Sequence, residues 1–225
     1  MQNFTDFISR ILQNKKYFGI KHRIKVVLLK VYNFSRGFSD FFAFPFDVSL
    51  PMPAHSKSGL TAIIEFLELK RIDYWVADGT LLGIYRDQEL IRHDTDLDFY
   101  LKDASSVKQI TEFLIAHHFK VGRVMKKWGR IFQISFYDER KLIIDFCIWY
   151  SSSNGYRYWV GPEIKGKRLQ PEKFFQETNR IQWQGISLKT FSNVEEWLSL
   201  VYGNTWRVPE TVKLDWRESV QDLEE

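Results

Sequence analysis

The stretch Asp73–Leu101, DYWVADGTLLGIYRDQELIRHDTDLDFYL, decides how the chain folds. Its run Tyr74–Ala77 is apolar and aromatic and predicts a strand. Asp78-Gly79-Thr80 breaks that strand, and Asp78 is expected to N-cap a short helix carrying Leu81, Leu82, Ile84 and Tyr85. A loop ending in Arg92-His93 follows, and then the pattern changes to period two. Asp94, Asp96, Asp98 and Tyr100 point one way; Thr95, Leu97, Phe99 and Leu101 point the other. One face of the second strand is therefore apolar. The other bears three carboxylates, successive ones about 7 Å apart.

Carboxylates that close repel, and partial burial raises the pKa of at least one. A bound cation removes the penalty. All-oxygen ligands select a hard ion, Mg²⁺ or Mn²⁺, and such ions work with substrate phosphates. Taken alone, a DxD run also reads as a solvated acidic edge strand. The Gly-Thr turn upstream and the intervening loop Arg favour the metal site.

GTLLGIYR (residues 79–86) followed by HDTDLD (residues 93–98) resembles the signature of LicD-type phosphotransferases and their fukutin-related relatives. The resemblance implies a nucleotidyltransferase-like fold, in which a Gly-Ser or Gly-Thr turn precedes a DxD pair. Many members read Trp-Asp where this chain has His93-Asp94, and Pro where it has Arg92. The match resumes at Tyr202, Gly203, Trp206 and Pro209, where such proteins close the domain with a helix ending in Tyr-Gly and a following Trp and Pro. The expected fold is thus α+β, a mixed β-sheet flanked by helices, preceded by an amphipathic helical arm. The resemblance covers about Tyr74 to Pro209. The expected division is an arm over residues 1–55 and a catalytic domain over 56–225.

At 225 residues the chain can bury a sizeable core in one domain. The single Cys147 excludes an intramolecular disulfide, and its apolar strand context reads as a small buried hydrophobe. One Cys and five His offer no zinc spacing. No apolar run reaches the roughly 18 residues of a spanning helix, and the N-terminus lacks a signal-peptide core. The expectation is a cytoplasmic protein, soluble or peripheral at the inner face of the cell membrane. The net charge of +4 is unevenly spread: residues 1–46 hold eight Lys/Arg and two acids, and the remainder is slightly acidic. Phe4, Phe7, Ile8, Ile11 and Leu12, then Ile20, Ile24, Val27, Leu28 and Val31, form helical stripes among those cations. Such an arm suits a membrane surface, a second protomer or packing on the body. Nucleic acid is not expected as a partner, since the body carries no basic patch or nucleic-acid motif.

Downstream, Ser58 is expected to open a helix with Leu60, Ile63, Ile64 and Leu67 inward, and Asp103 to cap another ending near His118. His117-His118 reads as a helix end rather than a ligand pair. Strands are expected at 119–125, 130–137 and 141–150, a hairpin about Gln184-Gly185, and a helix capped by Asn193. Asp145 lies among Leu142, Ile143, Ile144, Phe146, Cys147, Ile148 and Trp149, so its carboxylate needs a cation or hydrogen-bond donors. A nearby Arg or backbone amide would serve. The resemblance implies more, a third site carboxylate on a strand beside the DxD strand.

The resemblance further implies transfer of a phospho-alcohol (choline, ribitol or glycerol type) from a CDP-linked donor to a sugar hydroxyl of a glycan, with CMP released. Asp96 and Asp98 would hold one or two ions, with Asp94 an added or outer ligand. Asp145 would complete the shell or take the acceptor proton. Gly79 would let backbone N–H groups approach phosphate, Thr80 would add a hydroxyl, and Arg86 would neutralise donor charge, unless it pairs with Asp87 or Glu89. His93 would contact the donor or relay a proton, unless, as is commoner for a lone His, it is structural. The chain's brevity and lack of an apparent anchor suggest a bacterial capsule or cell-envelope polysaccharide pathway. Two other readings use the same residues differently: a nucleotidyltransferase moving NMP, and a non-catalytic, membrane-docked subunit of a glycan-synthesis complex.

Overall fold

The computed structural model describes residues 38–161 and 167–209. The arm's helical stripes over residues 4–31 lie outside these residues. The main sheet has six strands, ordered β1 (Phe38–Phe42), β4 (Lys120–Lys127), β5 (Arg130–Tyr137), β6 (Ile143–Ile148), β3 (Asp96–Leu101) and β2 (Tyr74–Val76). All neighbours are antiparallel except β3 and β6, which run parallel. The sheet is mixed, as expected. β1 falls within residues 1–55, read from the sequence as an arm. Its full pairing with β4 makes residues 38–42 an edge of the sheet.

The period-two pattern of β3 is realised. Leu97, Phe99 and Leu101 are fully buried, in one core cluster with Leu60, Ile63, Ile64 and Leu67 of α1 (Ser56–Leu69). Phe99 stacks on Phe146 of β6 at 5.1 Å. Helix α1 begins two residues before Ser58, behind a turn in which the Ser56 hydroxyl donates to the Pro53 carbonyl. Helix α3 (Val107–Ala116) starts after Ser106 rather than at Asp103. The Asp103 carboxylate instead accepts from the Ser105 N–H, forming a turn ahead of the helix.

After β6 come a three-stranded sheet of β7 (Tyr150–Ser151), β8 (Tyr156–Trp159) and β9 (Arg168–Pro171), and the short α4 (Lys173–Gln176). The hairpin β10 (Thr178–Trp183) and β11 (Ile186–Phe191) turns at Gln184-Gly185 as expected. Asn193 caps α5 (Val194–Tyr202), its side-chain oxygen accepting from Glu196 N. Buried Arg157 pins the small sheet to the main one, donating to Glu172 and to the carbonyls of Lys102 and Trp149. Phe191 and Trp197 stack at 3.7 Å beneath Tyr100, so the polar face of β3 also leads into packed aromatics.

Candidate active site

Asp96 and Asp98 project from β3 into a cleft of about 360 Å³. That volume lies within the range of small-molecule sites. Asp94 precedes the strand, and its backbone carbonyl is held by the Met52 N–H at 2.7 Å. One ligand oxygen from each of Asp94, Asp96 and Asp98 lies within 4.8 Å of the others, close enough for one ion to bridge all three. The parallel register of β3 and β6 sets Asp145 directly beside Asp98. Asp145 Oδ2 accepts from Gln133 Nε2 at 2.5 Å, while its Oδ1 is buried without a hydrogen-bond partner.

Burial raises Asp98 well above the usual carboxylate range, and the charges of Asp96, Asp78, Asp94 and Asp145 push it further. Asp145 is also raised, chiefly by burial; Ser135, Arg123 and Gln133 oppose the shift. A divalent cation would relieve both penalties. The crowded acidic oxygens and the orphaned Asp145 oxygen therefore fit a hard metal ion.

Two upstream residues shape the cluster. A Cβ built on Gly79 would meet Asp94 Oδ2 at 2.0 Å, so the missing side chain is what lets this carboxylate pack on the start of α2 (Asp78–Asp87). Thr80 is fully buried, and its hydroxyl accepts from the Asp98 N–H at 2.9 Å. It thus anchors the backbone of a site carboxylate from below, and the cleft wall does not include it.

Arg86 reaches the cleft wall but grips Asp87 with two hydrogen bonds of 2.9 and 2.7 Å, the ion-pair alternative read from the sequence. Its third contact is the Trp206 carbonyl. His93 is exposed at the cleft margin.

Asp78 is not an N-cap. Ala77 occupies that position, and Asp78 begins the helix with a left-handed φ of +41°. Such a backbone in a non-glycine residue is costly and collects at functional sites. Its carboxylate accepts from the Tyr100 hydroxyl at 2.7 Å and lies 3.5 Å from Arg168 Nη2. Burial opposes the charge of Arg168, but Tyr100 and Asp78 more than compensate and hold it cationic. Arg168 also lies 5.6 Å from the Trp149 ring and donates to the Tyr100 oxygen. The sequence reading missed Asp78 and Arg168 as cleft residues, along with Arg123 and Gln133. Cys147 also faces the cleft, two residues beyond Asp145 on one strand face, its thiol pushed well up by burial. Trp149, Trp159, Tyr202 and Trp206 complete an aromatic wall.

Residues 71–193 match the family model for the LicD/FKTN/FKRP nucleotidyltransferase domain. This chain belongs to the LicD/FKTN/FKRP family. The match contains every cleft carboxylate described above. Two curated relatives are similar: ribitol-5-phosphate transferase FKTN of Macaca fascicularis and of Homo sapiens, each 24% identical over 162 residues. The alignments cover 68% of this chain and 33% of each relative, so the chain spans about a third of their length. Among solved structures, lincomycin-bound lincosamide antibiotic adenylyltransferase LnuA is 15% identical, with a TM-score of 0.48 over 68% of this chain and 88% of that one. An antigenic nucleotidyltransferase-like protein from Paracoccidioides brasiliensis is 13% identical, with a TM-score of 0.40 over 69% and 72%. Among the described residues, no helix is long and apolar enough to cross a membrane.

Proposed function

We propose that this LicD-family protein is a metal-dependent phosphotransferase. It moves a phospho-alcohol of the choline, ribitol or glycerol phosphate type from a CDP-linked donor to a sugar hydroxyl of a cell-surface glycan. The observation that carries this reading is the gathering of Asp94, Asp96 and Asp98 within one ion's reach, with Asp145 in register beside Asp98. The name of the curated relatives, ribitol-5-phosphate transferase, supports a polyol phosphate as the transferred group.

Asp94, Asp96, Asp98 and Asp145 would hold Mg²⁺ or Mn²⁺. When bound, the ion neutralises the donor diphosphate and polarises the transferred phosphorus. Arg168 and Arg123 face the same cleft and add positive charge where phosphate negative charge gathers. The rings of Trp149, Trp159, Tyr202 and Trp206 exclude water and offer faces for base, ribose or polyol. In the transfer, the acceptor oxygen bonds to the phosphorus bearing the alcohol, the bond from that phosphorus to CMP breaks, and the hydroxyl proton leaves. We assign the unpartnered Asp145 oxygen to completing the ligand shell or receiving that proton. We assign His93, exposed at the margin, to contact with the donor, and Gly79 to seating Asp94.

The test is a panel of CDP-alcohols and plain nucleoside triphosphates, each with Mg²⁺ or Mn²⁺ and a glycan acceptor, read by product mass. CMP with a phospho-alcohol added to the acceptor is the expected outcome. Pyrophosphate from a triphosphate would move the assignment to a nucleotidyltransferase. No turnover together with no Mn²⁺ binding would favour the non-catalytic subunit.

A further inference from the structure

Strands β4 and β5 are joined by the two-residue turn Trp128-Gly129, with Lys127 opposite Arg130. Both turn residues have positive φ, +48° and +81°. This is the signature of a type I′ hairpin turn, which favours Asn-Gly. The hairpin β10–β11 has the same backbone signs at Gln184-Gly185 and places a polar residue first. At position 128 the left-handed site instead holds a tryptophan, 75% exposed. A bulky residue with this backbone is strained, and an indole in water contributes nothing to the core.

The surroundings of that ring are cationic, so the body does carry a basic patch where none is expected from the sequence. Lys127 Nζ lies 4.4 Å from the Trp128 ring centroid. Arg130 donates to the Tyr158 hydroxyl at 3.1 Å and lies 5.6 Å from the Tyr150 ring. Lys167 sits 5.3 Å from the Tyr158 ring. Residues 120–135 include Lys120, Arg123, Lys126, Lys127 and Arg130 and no acidic residue. The chain also enters the fold at this corner, since Phe38 pairs with Lys127. Residues 1–37, which precede that entry, hold eight Lys/Arg and one Asp. In the sequence, one basic stretch ends just before Phe38, and Phe38 pairs with Lys127 of the other. Their like charge argues against one being the other's partner and for a shared anionic one.

We propose that the β4–β5 hairpin tip docks on an anionic phospholipid surface. The Trp128 indole seats at headgroup level, and Lys126, Lys127, Arg130 and Lys167 face lipid phosphates. A tip is convex and offers no groove to a polymer, but one protruding ring can enter a headgroup layer. Indoles favour that layer because one edge is polar and the body is apolar. Lysine stems beside the ring can lie along it while their charges stay at the phosphates. Arg123, which lines the cleft, stands five residues back along β4, about 17 Å at the rise of a strand. The docked tip would thus hold the cleft close to substrates carried on the same surface.

The test is co-sedimentation of the full chain with vesicles of phosphatidylcholine plus phosphatidylglycerol, and with phosphatidylcholine alone. Wild type is expected to sediment with the mixed vesicles only, and less in high salt. Trp128→Asn should bind about tenfold more weakly, the factor that burying about 55 Å² of apolar surface commands. Its melting temperature should not fall, because Asn suits the left-handed turn. Lys127→Ser and Arg130→Ser should each cost about fivefold. Equal binding by Trp128→Asn and wild type would overturn the proposal, because residues 1–37 alone would then account for attachment. Equal binding to both vesicle types, or no binding by wild type, would overturn it as well.

Discussion

Replacing Gly79 by alanine adds one methyl group at the start of α2, and the structure says where that methyl must go. It would lie 2.0 Å from Asp94 Oδ2, whereas ordinary contact begins near 3.4 Å. The carboxylate oxygen must therefore withdraw by about 1.4 Å, a large step against a metal–oxygen bond of about 2.1 Å. Folding should suffer little, because alanine is favoured over glycine within a helix by about 1 kcal/mol. The cost falls on the ion. Mn²⁺ affinity should drop about 10- to 100-fold, the range seen when groups that orient ligands are disturbed. Turnover should fall about 100-fold, as for a misplacement near 1 Å. Calorimetric Mn²⁺ titration beside a thermal melt separates the two effects. Asp94→Asn should behave similarly, and the double variant should be no worse than either single one, since both act through one carboxylate. Wild-type Mn²⁺ affinity in Gly79→Ala would refute the reasoning that this glycine exists to seat Asp94.

Other expectations follow from single contacts. Thr80→Val keeps the shape but leaves the Asp98 N–H without its acceptor, and denaturant unfolding should show a loss of about 1–3 kcal/mol. Asn193→Ala removes the cap of α5 and should cost about 1 kcal/mol in the same assay. Burial pushes the Glu68 carboxylate up, but hydrogen bonds from Arg180 and Tyr74 and the charge of Lys189 outweigh it, leaving the folded pKa below 4.5. A depressed carboxylate stabilises the fold above its unfolded pKa and loses that contribution as pH falls through the folded value. Melting temperatures from neutral pH to below pH 4.5 should therefore converge for Glu68→Gln and wild type on acidification, with wild type higher at neutral pH.

Much of this arrangement is legible in one sequence because strands alternate. Period two alone separates Asp96 and Asp98 from Leu97 and Phe99, and the structure keeps them on opposite faces. The same rule puts Cys147 on the face of Asp145, yet its apolar neighbours masked this and it read as core. Gln184-Gly185 announces its hairpin because glycine supplies a positive φ there. Asp78 misled for a physical reason. An Asp before a helix usually caps it, but here the Tyr100 hydroxyl and Arg168 hold its carboxylate in the cleft. Arg168 left no local signal, since it stands 90 positions after Asp78 and on a separate sheet. β1 was hidden in a Phe-rich stretch whose composition resembles a docking arm, and only its partner β4 defines it as a strand.

The most direct test of the central claim is metal-dependent release of CMP from a CDP-alcohol, with wild type and Asp96→Asn measured side by side. The carboxylate cluster predicts turnover by wild type that stops on chelation, returns with Mg²⁺ or Mn²⁺, and is absent from Asp96→Asn at every metal concentration. Equal release by Asp96→Asn and wild type, or release unaffected by chelation, would contradict it.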